Sequence, residues 1–246
     1  MFDVEDLVSR YAVADRTVPH LRVNFIASID GAASHNGVSG PLNNEVDKEV
    51  FDVLRMLTDV VLVGAGTIRA EGYGPMRLSR QAVEWRVAHG LPEHPVLAIL
   101  TSEVDLDPAS PLFADAPVWP IIVTHGHGPE GSRRRHQLDV LRHSCHVMVC
   151  GEDAVDPHLM VSGLVARGLP QILSEGGPHA LGSLIAADVV DEMCLTIAPV
   201  LEGGDATRVT AGGPQTTREM HLAHAVPAGD MLFLRYLRAR PTTARE

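Results

Sequence analysis

Short apolar runs alternate along this chain with stretches in which apolar residues recur every three or four positions. Residues 21–29 are apolar and β-rich, which predicts a strand. Over 43–57, Val46, Val50, Leu54 and Leu57 fall at the spacing of one helix face. Asn43 or Asn44 can cap that helix, with Glu45 and Asp47 in its first turn, where the helix dipole favours anions. The run 60–63 is continuously apolar, as a strand buried on both faces would be, and 96–100, 118–124, 146–149 and 171–174 read likewise. Helices are expected at 159–167, stopped by Gly168 and Pro170, and at 178–187, with Pro178 in first position. The segments 192–198 and 231–237 are late strands with no long helix between them. The expected fold is α/β: a mostly parallel central sheet flanked by helices, with antiparallel C-terminal strands. No linker divides the chain, so one domain is expected over 1–246, with its core at about 20–238. Residues 125–136 read as an irregular surface loop and 240–246 as a frayed tail.

Composition adds exclusions. Hydrophobic residues make up 45% and charged residues 21% of 246, too apolar for a disordered chain. Acidic residues outnumber basic ones 31 to 20, a net charge of −11, which argues against a nucleic-acid or anionic-membrane partner. It does not bar an anion from a pocket, because helix N-termini and a few arginines hold phosphate on acidic proteins. The first residues are acidic, and no apolar run approaches the ~20 residues of a membrane span, so a cytoplasmic protein is expected. Cys145, Cys150 and Cys194 match no framework spacing; reduced, buried thiols are expected, with a Cys145–Cys150 pair the alternative.

Four clusters of small or hydroxylated residues follow predicted strands. In Ala27-Ser28-Ile29-Asp30-Gly31, alternation puts Asn24, Ser28 and Asp30 on one face, where they could share a polar cleft; a plain Asp-Gly turn fits as well. Gly64-Ala65-Gly66-Thr67 offers close backbone approach to a ligand, or merely a tight turn into a helix. It is not a Rossmann fingerprint, which would need glycine where Arg69 stands, nor a Walker loop. Thr101-Ser102 is a hydroxyl pair after a strand. Ser174-Glu175-Gly176-Gly177-Pro178 has the form of a diphosphate cradle: a glycine pair with unobstructed N–H groups at a helix start. A carboxylate is awkward beside phosphate, so Glu175 is expected to serve a polar substrate. If the strands are parallel, these clusters meet beyond their carboxyl ends, where α/β sheets bind ligands.

Other chemistries lack their residues. The histidines at 125, 127, 136, 143 and 146 have no acid or cysteine nearby to complete a metal site, and none is expected. Arg133-Arg134-Arg135 reads as a solvated charge run. There is no Gly-x-Ser-x-Gly elbow and no zinc-deaminase signature.

Ser28-Ile29-Asp30-Gly31, Val63-Gly64-Ala65-Gly66-Thr67, Ser174-Glu175-Gly176-Gly177-Pro178, Val190-Asp191-Glu192 and the run from Ala198 to Gly204 occur in that order. This sequence resembles the C-terminal reductase domain of the riboflavin-biosynthesis protein RibD, and within it the stand-alone actinobacterial members with Arg-x-Glu-Gly-Tyr, here Arg69 to Tyr73. The resemblance covers about 20–238. It implies a dihydrofolate reductase-like fold, NADPH as cofactor and a homodimer. It also implies hydride transfer to C1′ of a ribosylaminopyrimidinone 5′-phosphate. By position, Ala27, Ser28, Gly64, Gly66, Thr67, Glu71, Thr101, Gly176, Gly177, Pro178 and Leu181 would line the cofactor. Ser39, Arg55 and Glu175 would contact the phosphorylated pyrimidine-like substrate. Asp30, then Glu175, are the candidate proton donors. Two departures fall on the substrate side: Ser39-Gly40-Pro41-Leu42-Asn43-Asn44 replaces a Trp-Ile-Thr/Ser segment, and Glu71-Gly72-Tyr73-Gly74-Pro75 replaces Asp-Asp/Asn-Pro-x-Leu-Thr. A reductase of another pterin-like or carbonyl substrate, or a non-catalytic NADP(H)-binding protein, are the competing readings.

Overall fold

The computed structural model describes residues 2–126 and 132–239. A short helix α1 (Val4–Tyr11) precedes strand β1 (His20–Ser28), and a single 3-10 turn (Gly40–Leu42) leads into α2 (Glu45–Leu57). The alternation then runs β2 (Val60–Gly64), α3 (Ala65–Glu71), α4 (Arg80–Ala88), β3 (Val96–Leu100), α5 (Pro111–Ala114), β4 (Ile121–Thr124), α6 (Arg133–Leu141) and β5 (His146–Val149). It ends with α7 (Pro157–Val165), β6 (Gln171–Ser174), α8 (Pro178–Ala186), β7 (Glu192–Ala198), β8 (Met220–Ala228) and β9 (Met231–Arg238).

All nine strands form one sheet in the order β5-β4-β3-β2-β6-β1-β7-β9-β8. From β5 to β7 every pairing is parallel; β9 and β8 close the edge as an antiparallel hairpin. One expectation is corrected here. The strand at 192–198 is not an antiparallel addition: it runs parallel to β1, with Arg22 opposite Glu192 and Ser28 opposite Ala198. Helix α8 is the crossover that makes this possible.

The continuous apolar strands β2, β3, β4 and β6 are buried on both faces, as expected; β5 is corrected, because it forms the edge of the sheet and leaves His146 and Val149 exposed. In β2, Val61 and Val63 face the helices α1, α2, α4, α5 and α6, whereas Val60 and Leu62 face α7 and α8. Helix α2 starts where expected, and of the two candidates Asn44 caps it, accepting from the N–H groups of Val46 and Asp47 at 2.9 and 3.0 Å. That satisfies two donors a helix start would leave open.

The loop expected at 125–136 is corrected in part. Residues 127–131 lie outside the described ones, as does the tail at 240–246, but 133–141 form α6, capped by Ser132 and packed through Leu138 and Leu141. Nor is its arginine run purely solvated. Arg134 donates to the carbonyls of Ser102 and His125 and to the Thr124 hydroxyl, tying α6 to the ends of β3 and β4. Cys145, Cys150 and Cys194 are buried and unpaired, so the Cys145–Cys150 bridge does not form.

Candidate functional site

A cleft of about 880 Å³ opens at the carboxyl ends of the parallel strands. Three of the four predicted clusters meet in it. Gly64 and Gly66, Thr101 and Ser102, and Glu175 to Pro178 all line its wall. The two glycine turns are stitched together: the Gly64 N–H donates to the Gly176 carbonyl at 2.8 Å and the Glu175 N–H to the Leu62 carbonyl at 3.0 Å. Gly176 has φ +112°, a conformation that disfavours any side chain. A Cβ on Gly177 would lie 2.8 Å from the Thr67 hydroxyl, so a side chain there would force Thr67 to shift. A Cβ on Gly66 would meet nothing within 4 Å, which leaves open space on the cleft side of the turn. Helix α8 begins here with Gly177 as its cap residue and no side chain to accept from its first N–H groups. Those donors and the dipole make a place for an anion.

The substrate-side residues also converge. Arg55 reaches from α2 to Glu175 in a fork, Nε to Oε1 at 2.6 Å and the second guanidinium N–H to Oε2 at 2.7 Å. The Tyr73 hydroxyl donates to the same Oε2 at 3.1 Å. Phe51 lies under the guanidinium, 4.1 Å from ring centre to charge. The Glu175 side chain is only 1% exposed, so the pair is desolvated and charge-assisted. Burial works to lower the Arg55 pKa, but Glu175 outweighs it and the net direction is up. Burial and the Glu175 charge push the Tyr73 phenol up as well. Ser39 is bound through both its N–H, at 2.7 Å, and its hydroxyl, at 2.9 Å, to Glu71. Glu71 thus fixes the loop ahead of α2.

The first cluster is placed differently. Ala27, Ser28 and Asp30 do not line the cleft; Asn24, Phe25 and Ile26 of β1 do. The strand ends at Ser28, and Gly31, at φ +92°, turns the chain away. The Asp30 carboxylate accepts from the Ser28 hydroxyl and from the N–H groups of Glu202 and Gly203 at 3.1 and 2.8 Å. The Ser28 bond first, then those backbone donors, hold the Asp30 carboxyl down at about 2. At neutral pH it is ionised and only accepts, which fits a clamp on the loop 199–204 rather than the proton donor expected from sequence. Leu181 is likewise redirected: it is 1% exposed and packs in the core beneath α8. Among the described residues, no group of three or more His, Cys, Asp or Glu could hold a metal.

Sequence reasoning missed several lining residues, Tyr73, Asp47, Phe51 and Arg69 among them. Asp47, Phe51 and Arg55 follow one another at four-residue steps along α2, so the three share one side of the helix. Polar residues interrupting an otherwise amphipathic helix at that spacing were the available signal. Arg69, at the end of α3, also lines the cleft and donates to the Asp105 carbonyl at 3.1 Å.

The sequence matches the RibD C-terminal domain over residues 19–234. It is 27% identical over 195 residues to the 2,5-diamino-6-ribosylamino-4(3H)-pyrimidinone 5′-phosphate reductase of Methanothermobacter thermautotrophicus, covering 79% of this chain and 84% of that one. A pyrimidine reductase-like protein of Corynebacterium diphtheriae superposes with a TM-score of 0.88 at 27% identity, over 98% of this chain and 100% of the other. Dihydrofolate reductase of Enterococcus faecalis, 14% identical, has the same fold, with a TM-score of 0.50 over 90% and 97% of the two chains. With its extended sequence match and this shared mixed α/β architecture, the chain belongs to the RibD C-terminal domain family.

Proposed function

We propose that this chain is an NADPH-dependent oxidoreductase of riboflavin biosynthesis. Its substrate is 5-amino-6-ribosylaminopyrimidinone 5′-phosphate or the 2,5-diamino analogue, reduced at C1′. The observation that carries this reading is that one cleft contains both the glycine cradle and the buried Arg55–Glu175–Tyr73 cluster. Its volume, at the upper end of the ~300–1,000 Å³ usual for ligand pockets, accommodates an extended nucleotide and a second small molecule.

The residues fit a dinucleotide. Gly64, Gly66, Thr67, Thr101, Gly176, Gly177 and Pro178 would hold it, with the uncapped start of α8 facing its diphosphate. When bound, the nicotinamide supplies a hydride. The protein's share is to orient the two ligands and exclude water. Glu71, which the family places against the cofactor, would act through Ser39 by holding the loop over the site.

A 2′-phosphate needs a cation. Among the described residues, Arg55 and Arg69 are the arginines lining the cleft, and Arg55 is committed to Glu175. Arg69 is therefore assigned to the 2′-phosphate. Arg69→Gln is expected to weaken NADPH binding about tenfold and leave NADH binding unchanged, as the loss of one exposed charge-assisted contact would. Parallel fluorescence titrations with the two nucleotides measure this; equal weakening of both would remove Arg69 from that role.

A homodimer is the proposed assembly. The β9–β8 edge is open, and Leu222, Leu232 and Leu237 on it are 54%, 37% and 36% exposed; large apolar side chains on an open edge favour a partner. Three buried free thiols agree with a reducing, cytoplasmic setting.

The test is NADPH oxidation followed by nicotinamide absorbance over a substrate panel. Turnover with the pyrimidinone phosphate is expected. Turnover only with a pterin or a ketone would reassign the substrate, and binding without oxidation across the panel would make the chain a binding module.

A further inference from the structure

Reduction of a C=N bond needs a proton as well as a hydride, and the two carboxylates first considered for it are otherwise engaged. Asp30 lies outside the cleft. Both oxygens of Glu175 are occupied, Oε1 by Arg55 and Oε2 by Arg55 and Tyr73.

A third carboxyl lines the cleft under different conditions. Asp47 is 5% exposed and sits one helical turn from Phe51 and two from Arg55 on the same side of α2. The polar group that bears on it is the hydroxyl of Thr196, itself buried on β7. No ion pair to Asp47 occurs among the described residues; Lys48, next to it in sequence, is exposed and pairs with Glu45. Just ahead of α2, the Asn43 side-chain carbonyl oxygen is buried without a partner, an acceptor that a ligand N–H would satisfy.

We propose that Asp47 is the proton donor of the reaction, with Thr196 the positioning residue that orients its carboxyl; this rests on the reductase reading above. The imine carbon gains the hydride, the C=N electron pair moves to nitrogen, and that nitrogen takes the proton from the Asp47 carboxyl. Asp47 is left as a carboxylate and is reprotonated by water when product leaves. Its environment suits an acid. Burial pushes the Asp47 carboxyl up, and the Thr196 hydroxyl returns only part of that. The titratable and charged groups that face the same cleft are Arg55 from α2, Arg69 and Glu71 from α3, Tyr73 just after it, Glu103 after β3, Glu175 after β6 and His179 at the start of α8; Asp52, also on α2, is held up by burial in its turn.

The experiment compares wild type, Asp47→Asn and Thr196→Val with NADPH and the pyrimidinone phosphate. Asp47→Asn is expected to lower kcat about 100-fold, with NADPH affinity unchanged within about threefold. A general acid must be protonated, so wild-type kcat falls as pH rises past its pKa. That limb should vanish in Asp47→Asn. It should move to higher pH in Thr196→Val, which loses a donor to the carboxylate. A second readout needs no turnover: carboxyl-carbon NMR of the ligand-free protein, with 13C-labelled aspartate. One resonance, missing from Asp47→Asn, should titrate above the ordinary value of about 3.9. Retention of the limb in Asp47→Asn, no movement of it in Thr196→Val, or ordinary titration of that resonance would each overturn the role. Should wild type itself not turn over the pyrimidinone phosphate, the reductase reading falls and the role with it; turnover by wild type with an unaltered Asp47→Asn profile removes Asp47 alone.

Discussion

Glu192→Gln is expected to destabilise the protein by about 3–5 kcal/mol, the range for breaking a buried ion pair by removing one partner. Glu192 begins β7, and its side chain is 0% exposed. Its oxygens accept from Arg22 at 2.6 and 3.2 Å, from Arg235 at 2.9 Å and from His20 at 3.0 Å. Three adjacent strands, β1, β7 and β9, are thereby pinned at one level. The same arginines also reach α1: Arg22 donates to the Tyr11 carbonyl and Arg235 to the Arg10 carbonyl, at the helix end where the dipole favours cations. A glutamine would aim an N–H₂ at a guanidinium and leave two buried cations without their counter-charge. For a chain of this size the loss corresponds to a fall in melting temperature of about 10 °C. Burial works to raise the Glu192 pKa, but the Arg22 charge and the bonds from His20, Arg235 and Arg22 outweigh it, and the net direction is down. A carboxyl lowered by folding stabilises fully above its unfolded value, here about 4.5, and loses that contribution as pH falls toward its folded value. The difference between wild type and variant should therefore be complete at neutral pH and narrow below about pH 4.5. Denaturant unfolding at several pH values measures it. A difference under about 1 kcal/mol, or one independent of pH, would show that the network contributes little.

Such a network also marks the limit of reading this chain by apolar pattern. Strands β2, β3, β4 and β6 were legible because they are buried on both faces, and Val60 to Val63 are all 0% exposed. Helix α4 was not, because what it buries is Arg86, 0% exposed and donating to the carbonyls of Pro92, Met56 and Thr58 at 2.6 to 2.8 Å. Burial pulls that guanidinium down to about 10, yet the sequence shows only a charge. Helix α6 begins with three arginines against its own dipole, so it looked like a loop. Strand β8 is a half-exposed edge with a bulge between Leu222 and His224 and a proline at 227, which removes both alternation and apolarity. The site divides in the same way. Glycine and hydroxyl clusters after parallel strands must converge, so the cradle was foreseeable. Where a side chain points after the strand has ended is decided by a single turn, and Gly31 sends Asp30 to another loop. Asp47 was read only as an anion suited to a helix start, because its second setting, against Thr196 of β7, is more than a hundred residues away in sequence.

Glu175→Gln is expected to lower kcat/KM for the pyrimidinone phosphate by about 10²–10³-fold while leaving the NADPH dissociation constant unchanged within about threefold. The asymmetry follows from where the side chain stands. The Glu175 backbone N–H bonds to Leu62 and belongs to the cradle; it survives the substitution. The carboxylate belongs to the other half of the cleft, where it holds Arg55 through two bonds and Tyr73 through a third. Bonds to charged groups contribute about 1.5–3 kcal/mol each, and glutamine replaces the fork with at most one neutral acceptor. A loss of about 3–4 kcal/mol at about 1.4 kcal/mol per decade gives the stated range. Arg55 would then turn toward water, since Phe51 holds only the face of its guanidinium. The companion variant, Arg55→Gln, should show a similar loss, and the double variant should be little worse than either single one, because the second change removes a partner already lost. Steady-state kinetics with nucleotide titrations on all three variants measures both halves. If Glu175→Gln weakens NADPH binding as much as it weakens turnover, the carboxylate supports the cradle rather than the substrate. If the losses of the two single variants add in full, Arg55 and Glu175 act on the substrate separately and not as a pair.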